Sequence, residues 1–181
     1  MKRVSLQIKT GEIITGDEFE EQDFQQMKSI FKKWQNINVD LKSLGGRALN
    51  VPDVFSEGLF CYFFNAIRTN QTAHSYDCVM KNTGEGVQVK SASIPVDCTS
   101  FGPTSTWDLL YFVDFAPNGV VDGEVWFYKI DDSSIYDLVL NSKKNETFKD
   151  QQLQGRRPRF SMKKALIEAN NLQPVKKVSL L

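Results

Sequence analysis

Histidine is nearly missing from this chain, with one residue, His74, among 181. A single imidazole cannot build a His-rich metal cluster and reads as a structural residue, so histidine-based catalysis is disfavoured. Cysteine is scarce as well. Cys61, Cys78 and Cys98 are odd in number and lack CxxC spacing, which argues against a disulfide framework or a zinc site and for reduced packing residues. No serine sits in a nucleophile elbow, so a Ser or Cys hydrolase is the least favoured class. No apolar run reaches the roughly 18 residues needed to cross a bilayer. The basic start, Met1 to Gln7, has no signal-type apolar core. A cytoplasmic protein with no membrane partner is expected, and no internal repeat or low-complexity linker divides it.

What is present is an ordinary soluble composition, 41% hydrophobic and 24% charged, of a length that suits one domain over residues 1–181. The formal charge is zero, yet it is unevenly spread. Residues 141–181 carry 10 Lys and Arg against 3 Asp and Glu, a net of +7, and the first 140 carry 12 against 19, a net of −7. An acidic body able to hold a metal ion and a basic C-terminal quarter able to meet phosphates suit a nucleic-acid enzyme. A solvated basic face would look the same on charge alone.

Residues 4–14 alternate weakly around Gly11 and read as a strand or hairpin. From Glu18 to Trp34, Phe24, Met27, Phe31 and Trp34 recur at spacings of three and four, which predicts an amphipathic helix capped by Asp17. Its aromatic stripe reads as core or subunit interface. A second helix is expected from Asp53 to Arg68, apolar nearly all round except at Glu57. A carboxylate there either reaches the surface or meets a cation. Ile94 to Thr106 is a hydroxyl-rich connection without period. Trp107 to Phe115 and Glu124 to Ile130 read as buried, antiparallel strands, followed by a short helix from Ser133 or Ser134 to Leu140 and a polar stretch to residue 155. Ser161 is expected to cap a last helix, Met162 to Ala169, and a final strand or arm follows Pro174.

Ser75 to Ser93, SYDCVMKNTGEGVQVKSAS, carries the chemistry. Two β-patterned runs flank the turn-forming Asn82-Thr83-Gly84-Glu85-Gly86. Strand alternation places Gln88 and Lys90 on one face and Val87 and Val89 on the other, and a hairpin brings Asp77 near the first face. An acid, an amide and an amine at a sheet edge suit a hard divalent cation beside an activated water. Asp77 would be the main ligand, Gln88 a neutral oxygen donor, the Val89 carbonyl another, and Lys90 the group that orients water or steadies developing charge. Glu57 is the most plausible second anion. For DNA contact, the Arg156-Arg157-Pro158-Arg159 turn offers planar forks for phosphate or guanine, and Ser91, Ser93, Thr104 and Ser105 offer hydroxyls.

Asp77, ten intervening residues, then Gln88-Val89-Lys90 and a hydroxyl-rich sequel resembles the core of the PD-(D/E)XK nuclease superfamily, particularly its small type II restriction endonucleases. The order of the surrounding elements is similar over roughly residues 50–170: the Glu57 helix before the hairpin, a buried strand after it, a further strand and a late arginine turn. Tyr76 stands where the motif has proline, and Gln88 where it has a second acid. The resemblance implies an α/β fold of restriction-endonuclease type, a mixed central sheet of about five strands flanked by helices. It also implies Mg²⁺-dependent cleavage of duplex DNA, with Mn²⁺ as a substitute, and a homodimer reading a palindrome. Enzymes cutting short interrupted GC-rich palindromes are the most similar. A repair or recombination nuclease of the same fold and a non-catalytic DNA-binding protein are the alternatives.

Overall fold

The computed structural model describes residues 1–69 and 75–181, so His74 lies outside the described residues. The chain begins with a hairpin, β1 (Lys2–Gln7) and β2 (Ile13–Glu18), turned by Gly11 at a positive φ of 90°. Helix α1 follows over Glu21–Ser43, two turns longer than the aromatic stripe alone marks. Its cap is Glu20 rather than Asp17, in a reciprocal pairing with Asp23.

Helix α2 (Asp53–Phe64) stops short of the expected end. Asn65 turns left-handed at φ 54°, ψ 55°, and Ala66–Thr69 leave the helix as strand β3. An asparagine tolerates that conformation, whereas the apolar run through Ile67 disguises the break. The hairpin of β4 (Cys78–Met80) and β5 (Gly86–Ala92) comes next. A connection containing β6 (Thr99–Ser100) crosses over to β7 (Leu109–Asp114), parallel to β5, and β8 (Glu124–Ile130) returns antiparallel as expected.

Helix α3 (Asp132–Tyr136) is capped by the Asp131 side chain, not by a serine, and ends before Leu140. The polar stretch after it is ordered into a hairpin, β9 (Val139–Asn141) and β10 (Glu146–Thr147), and helix α4 (Phe148–Leu153). Strand β11 (Arg159–Phe160) pairs with β6. Helix α5 (Lys163–Glu168) is wound with π-type bonding, and β12 (Lys176–Ser179) closes the sheet beside β8.

The main sheet runs β1-β2-β3-β4-β5-β7-β8-β12. Its centre, β3 to β8, is the mixed five-stranded core expected, widened at both edges to eight strands. Among the described residues, β5 and β7 form the one parallel pair of this sheet. One face, with Val87, Val89, Tyr111, Val113 and Phe127, packs on α1 and α2 through Phe31, Leu59 and Phe60. The other face, with Leu110, Phe112 and Tyr128, packs on the C-terminal elements through Phe148, Met162 and Leu166.

Asp97, buried in the connection after β5, ties that second layer to the sheet. Its carboxylate accepts from the Thr99 hydroxyl at 2.6 Å, the Ser161 hydroxyl at 2.6 Å, the Met162 N–H at 2.9 Å and the Lys163 N–H at 3.2 Å. Ser161 in turn accepts from the Lys164 N–H at 3.2 Å just ahead of the helix, whose cap position is Met162 rather than the expected Ser161. Replacing Asp97 strands several buried donors at once, so Asp97→Ala is expected to cost about 2–3 kcal/mol of unfolding free energy in urea denaturation.

Candidate active site

The site exists because β4 is short. It pairs with β5 only at Cys78–Val87 and Val79–Gly86. Before Cys78 the chain bends away after one more bond, the Asp77 N–H to the Val87 carbonyl at 3.0 Å. The place of a neighbouring strand is then taken by the Asp77 side chain, whose Oδ2 accepts from the Val89 N–H at 2.8 Å and from the Gln88 Nε2. Gln88 is 3% exposed and sits behind Asp77 as a donor.

A cleft of about 540 Å³ opens along this splayed edge. Asp53, Ser56 and Glu57 of α2 form one wall, Asp77 the floor, and Val89 to Ile94 the other, with Asp97, Thr99 and Ser100 at the rim. Four predicted site residues therefore share one cleft: Asp77, Glu57, Val89 and Lys90. The fifth, Gln88, reaches it through Asp77. Lys90 is half-buried, its Nζ 5.4 Å from the centre of the Phe101 ring, a cation–π contact that holds the ammonium near the sheet end.

Glu57 does meet a cation, and it is one the sequence did not suggest. Its carboxylate bonds the Nε of Arg68 on β3. Arg68 was expected at the end of a helix; as a strand residue paired with Cys78 and Asp17 it turns toward the base of α2 instead.

The electrostatics are those of two acids short of positive charge. Burial, then the negative charge of Glu57, pushes the Asp77 carboxyl up to about 6, against the Val89 N–H and the Lys90 ammonium. Burial likewise raises Glu57, opposed by the hydrogen bond and charge of Arg68. Among the described residues no group of three or more His, Cys, Asp or Glu side chains converges as a metal cluster. The Asp77 and Glu57 carboxylates line one cleft with Val89, and Asp53 and Asp97 line it as well. Two under-compensated carboxylates fit a hard cation, with water completing its shell.

The residues expected to contact DNA divide. Ser91 and Ser93 line the cleft. Arg157, exposed, donates through Nε to the Ser100 hydroxyl at 3.4 Å at the rim, and Arg159 pairs in register with Ser100. Arg156 is engaged elsewhere, 2.8 Å from Glu146. Thr104 and Ser105 line a separate hollow of about 350 Å³ with Tyr136, Lys149 and Gln152. The Ser105 hydroxyl there accepts from the Gly102 N–H at 3.1 Å.

The Asp77 carboxyl titrates at 3.8 when unperturbed and at about 6 in the fold, so the metal-free protein loses stability as pH rises between those values, on the order of 2 kcal/mol allowing for its partial exposure. An asparagine keeps its Oδ1 for the Val89 and Gln88 donors. Asp77→Asn is therefore expected to be more stable than wild type at pH 7–8 without metal, the difference vanishing below about pH 4 in thermal melts.

The description Bsp6I restriction endonuclease covers a protein family that matches residues 19–169 of this chain. A type II restriction enzyme, Bsp6I from Bacillus sp. (strain RFL6), is 33% identical over 160 residues, 87% of this chain and 88% of that enzyme's length. No solved structure matches. The match extends from the start of α1 through α5 and takes in the whole cleft, and the chain belongs to the Bsp6I restriction endonuclease family.

Proposed function

We propose that this chain, as one nuclease domain over residues 1–181, is a Mg²⁺-dependent type II endonuclease that hydrolyses duplex DNA at a short palindromic sequence as a cytoplasmic homodimer. The observation that carries the reading is the convergence of Asp77, Glu57 and Lys90 on one cleft whose rim leads to Ser100 and Arg157. The family supports endonuclease activity. No helix of the described residues is long and apolar enough to cross a membrane.

In this reading Asp77 and Glu57 hold the metal ion, with the Val89 carbonyl as a further donor and Mn²⁺ as a substitute. The bound ion supplies charge neutralisation at the phosphoryl oxygens and a water acidic enough to attack. The chain does the rest. Gln88 and the Val89 N–H fix the Asp77 carboxylate, so its orientation is set before substrate arrives. Lys90, held over Phe101 within the field of both acids, steadies charge on the phosphate or orients the attacking water. Ser91 and Ser93 meet the backbone beside the scissile bond, Arg157 and Arg159 meet phosphates at the rim, and Thr104 and Ser105 offer hydroxyls from the neighbouring hollow.

Incubation of long duplex DNA with Mg²⁺ is expected to give discrete fragments. Asp77→Ala and Lys90→Ala should each lower the cleavage rate by about 100-fold or more at unchanged fold. Cutting at the wild-type rate by either variant refutes the site, and end degradation or structure-dependent nicking refutes restriction in favour of repair. Arg157→Ala is expected to reduce the salt slope of DNA binding by about one. The same change at Arg156 should do less, because Glu146 already neutralises it; binding indifferent to Arg157 across salt concentrations refutes the assignment.

A further inference from the structure

Helix α1 carries more apolar surface than the fold covers. Met27, Phe31 and Trp34 are buried, yet Ile30 and Ile37, together with Leu44 at the C-cap just past the helix, remain 40%, 47% and 84% exposed. They stand seven residues apart, the repeat of a helix seam rather than of scattered surface residues. At about 100° per residue they form one stripe on the shoulder of the buried face, with half-buried Leu41 inside it.

The stripe is bordered by charges of opposite sign, Lys33 and Asp40, also seven apart. Both are exposed, and neither side chain has an ionic partner among the described residues. The pattern is nearly symmetric about Ile37. Turning a second α1 end for end about that residue sets Ile30 against Leu44, Ile37 against Ile37, and Lys33 beside Asp40. A parallel pairing in register would instead set Lys33 against Lys33 and Asp40 against Asp40, which like-charge repulsion disfavours. A surface complementary to itself under a two-fold rotation is what an isologous dimer requires.

We propose that this stripe is the contact surface for a second copy of this chain, the two α1 helices packing antiparallel about a two-fold axis at Ile37. The inference rests on the homodimer reading above and names its interface. The other flank of α1, with Trp34, Asn38 and Val39, borders a hollow that includes Ser93 and Ile94, which also line the catalytic cleft. A two-fold contact on α1 therefore fixes the spacing between two clefts, and with it the separation of two scissile bonds in a palindrome.

Sedimentation velocity of the full chain without DNA tests this. The wild type is expected to be dimeric, and Ile37→Glu, a change at an exposed position, should raise the dissociation constant about 100-fold by placing two charges on the axis, with unchanged circular dichroism and melting. Lys33→Asp and Asp40→Lys should each weaken the dimer and together restore it. Ile37→Cys under a mild thiol oxidant should give a covalent dimer joined at residue 37 of both copies. A monomeric wild type, a dimer indifferent to Ile37→Glu, or charge reversals that do not compensate would overturn the proposal. Because none of these readouts uses DNA or metal, a dimer that assembles this way but fails to cut refutes the nuclease reading alone, and a cutting enzyme that dimerises elsewhere refutes the interface alone.

Discussion

Two carboxylates, Asp77 and Glu57, face the same partly dry cleft with too little positive charge to satisfy both. Most of the surrounding structure can be understood as what makes that arrangement tolerable. Arg68 neutralises Glu57 from the side, the Val89 N–H and Gln88 amide hold Asp77 from below, and Lys90 stands within the field of both. None of these removes the strain, which persists as a carboxyl driven up to about 6. A bound cation would be the remaining compensator, so the cost in stability and the metal affinity proposed above would have the same origin.

The backbone builds this by withholding one strand. A β4 of ordinary length would cover the edge of β5 and satisfy its amides with carbonyls. With β4 confined to Cys78–Met80, a carboxylate takes over that role at Val89, and the edge becomes a wall. The parallel pairing of β5 with β7 then requires a crossover, since a tight turn cannot join parallel neighbours. That crossover carries Ser93, Asp97 and Ser100 along the cleft, and Asp97 fastens it to the start of α5 just beyond the arginine turn. The basic quarter of the chain is thus fastened beside the acidic site by two buried anions, Asp97 and, through its 2.6 Å ion pair with Lys163, Asp114 on β7.

How much of this could be read from residues alone follows from which interactions are local. The period-two alternation of β5 places Gln88 and Lys90 together without any tertiary information, and turn chemistry at Gly84 brings Asp77 opposite them. Glu57 stood out because a lone acid in an apolar helix needs a partner. The identity of that partner was hidden. Arg68 belongs to β3 only because Asn65 breaks α2, and an apolar run through Ile67 gives no sign of the break. Thr104 and Ser105 share their loop with Ser93 in sequence, yet the Gln152 amide bonds the Gly102 carbonyl at 3.0 Å, fixing that part of the loop beside a different hollow. Arg156 and Arg157 are adjacent, but Glu146 on β10 takes the first and leaves the second at the rim. These contacts depend on residues ten or more positions away, which neither periodicity nor composition specifies.

Glutamine at position 88 can be understood in the same terms. Were that position acidic, a third carboxylate would lie against Asp77 at a site only 3% exposed, where burial already raises both acids and the charge of Glu57 raises Asp77 further. An amide supplies a donor in its place. It exchanges repulsion for a hydrogen bond that orients Asp77, at the loss of one formal negative charge for binding a cation. The metal-free fold gains from that exchange, while the charge that would attract the proposed ion rests on Asp77 and Glu57. Arg68 then has a second consequence, since the guanidinium that makes Glu57 tolerable also competes with any cation for its oxygens. The balance between a stable empty cleft and an avid one is therefore set by two side chains, Gln88 and Arg68, that occupy its wings and not its floor.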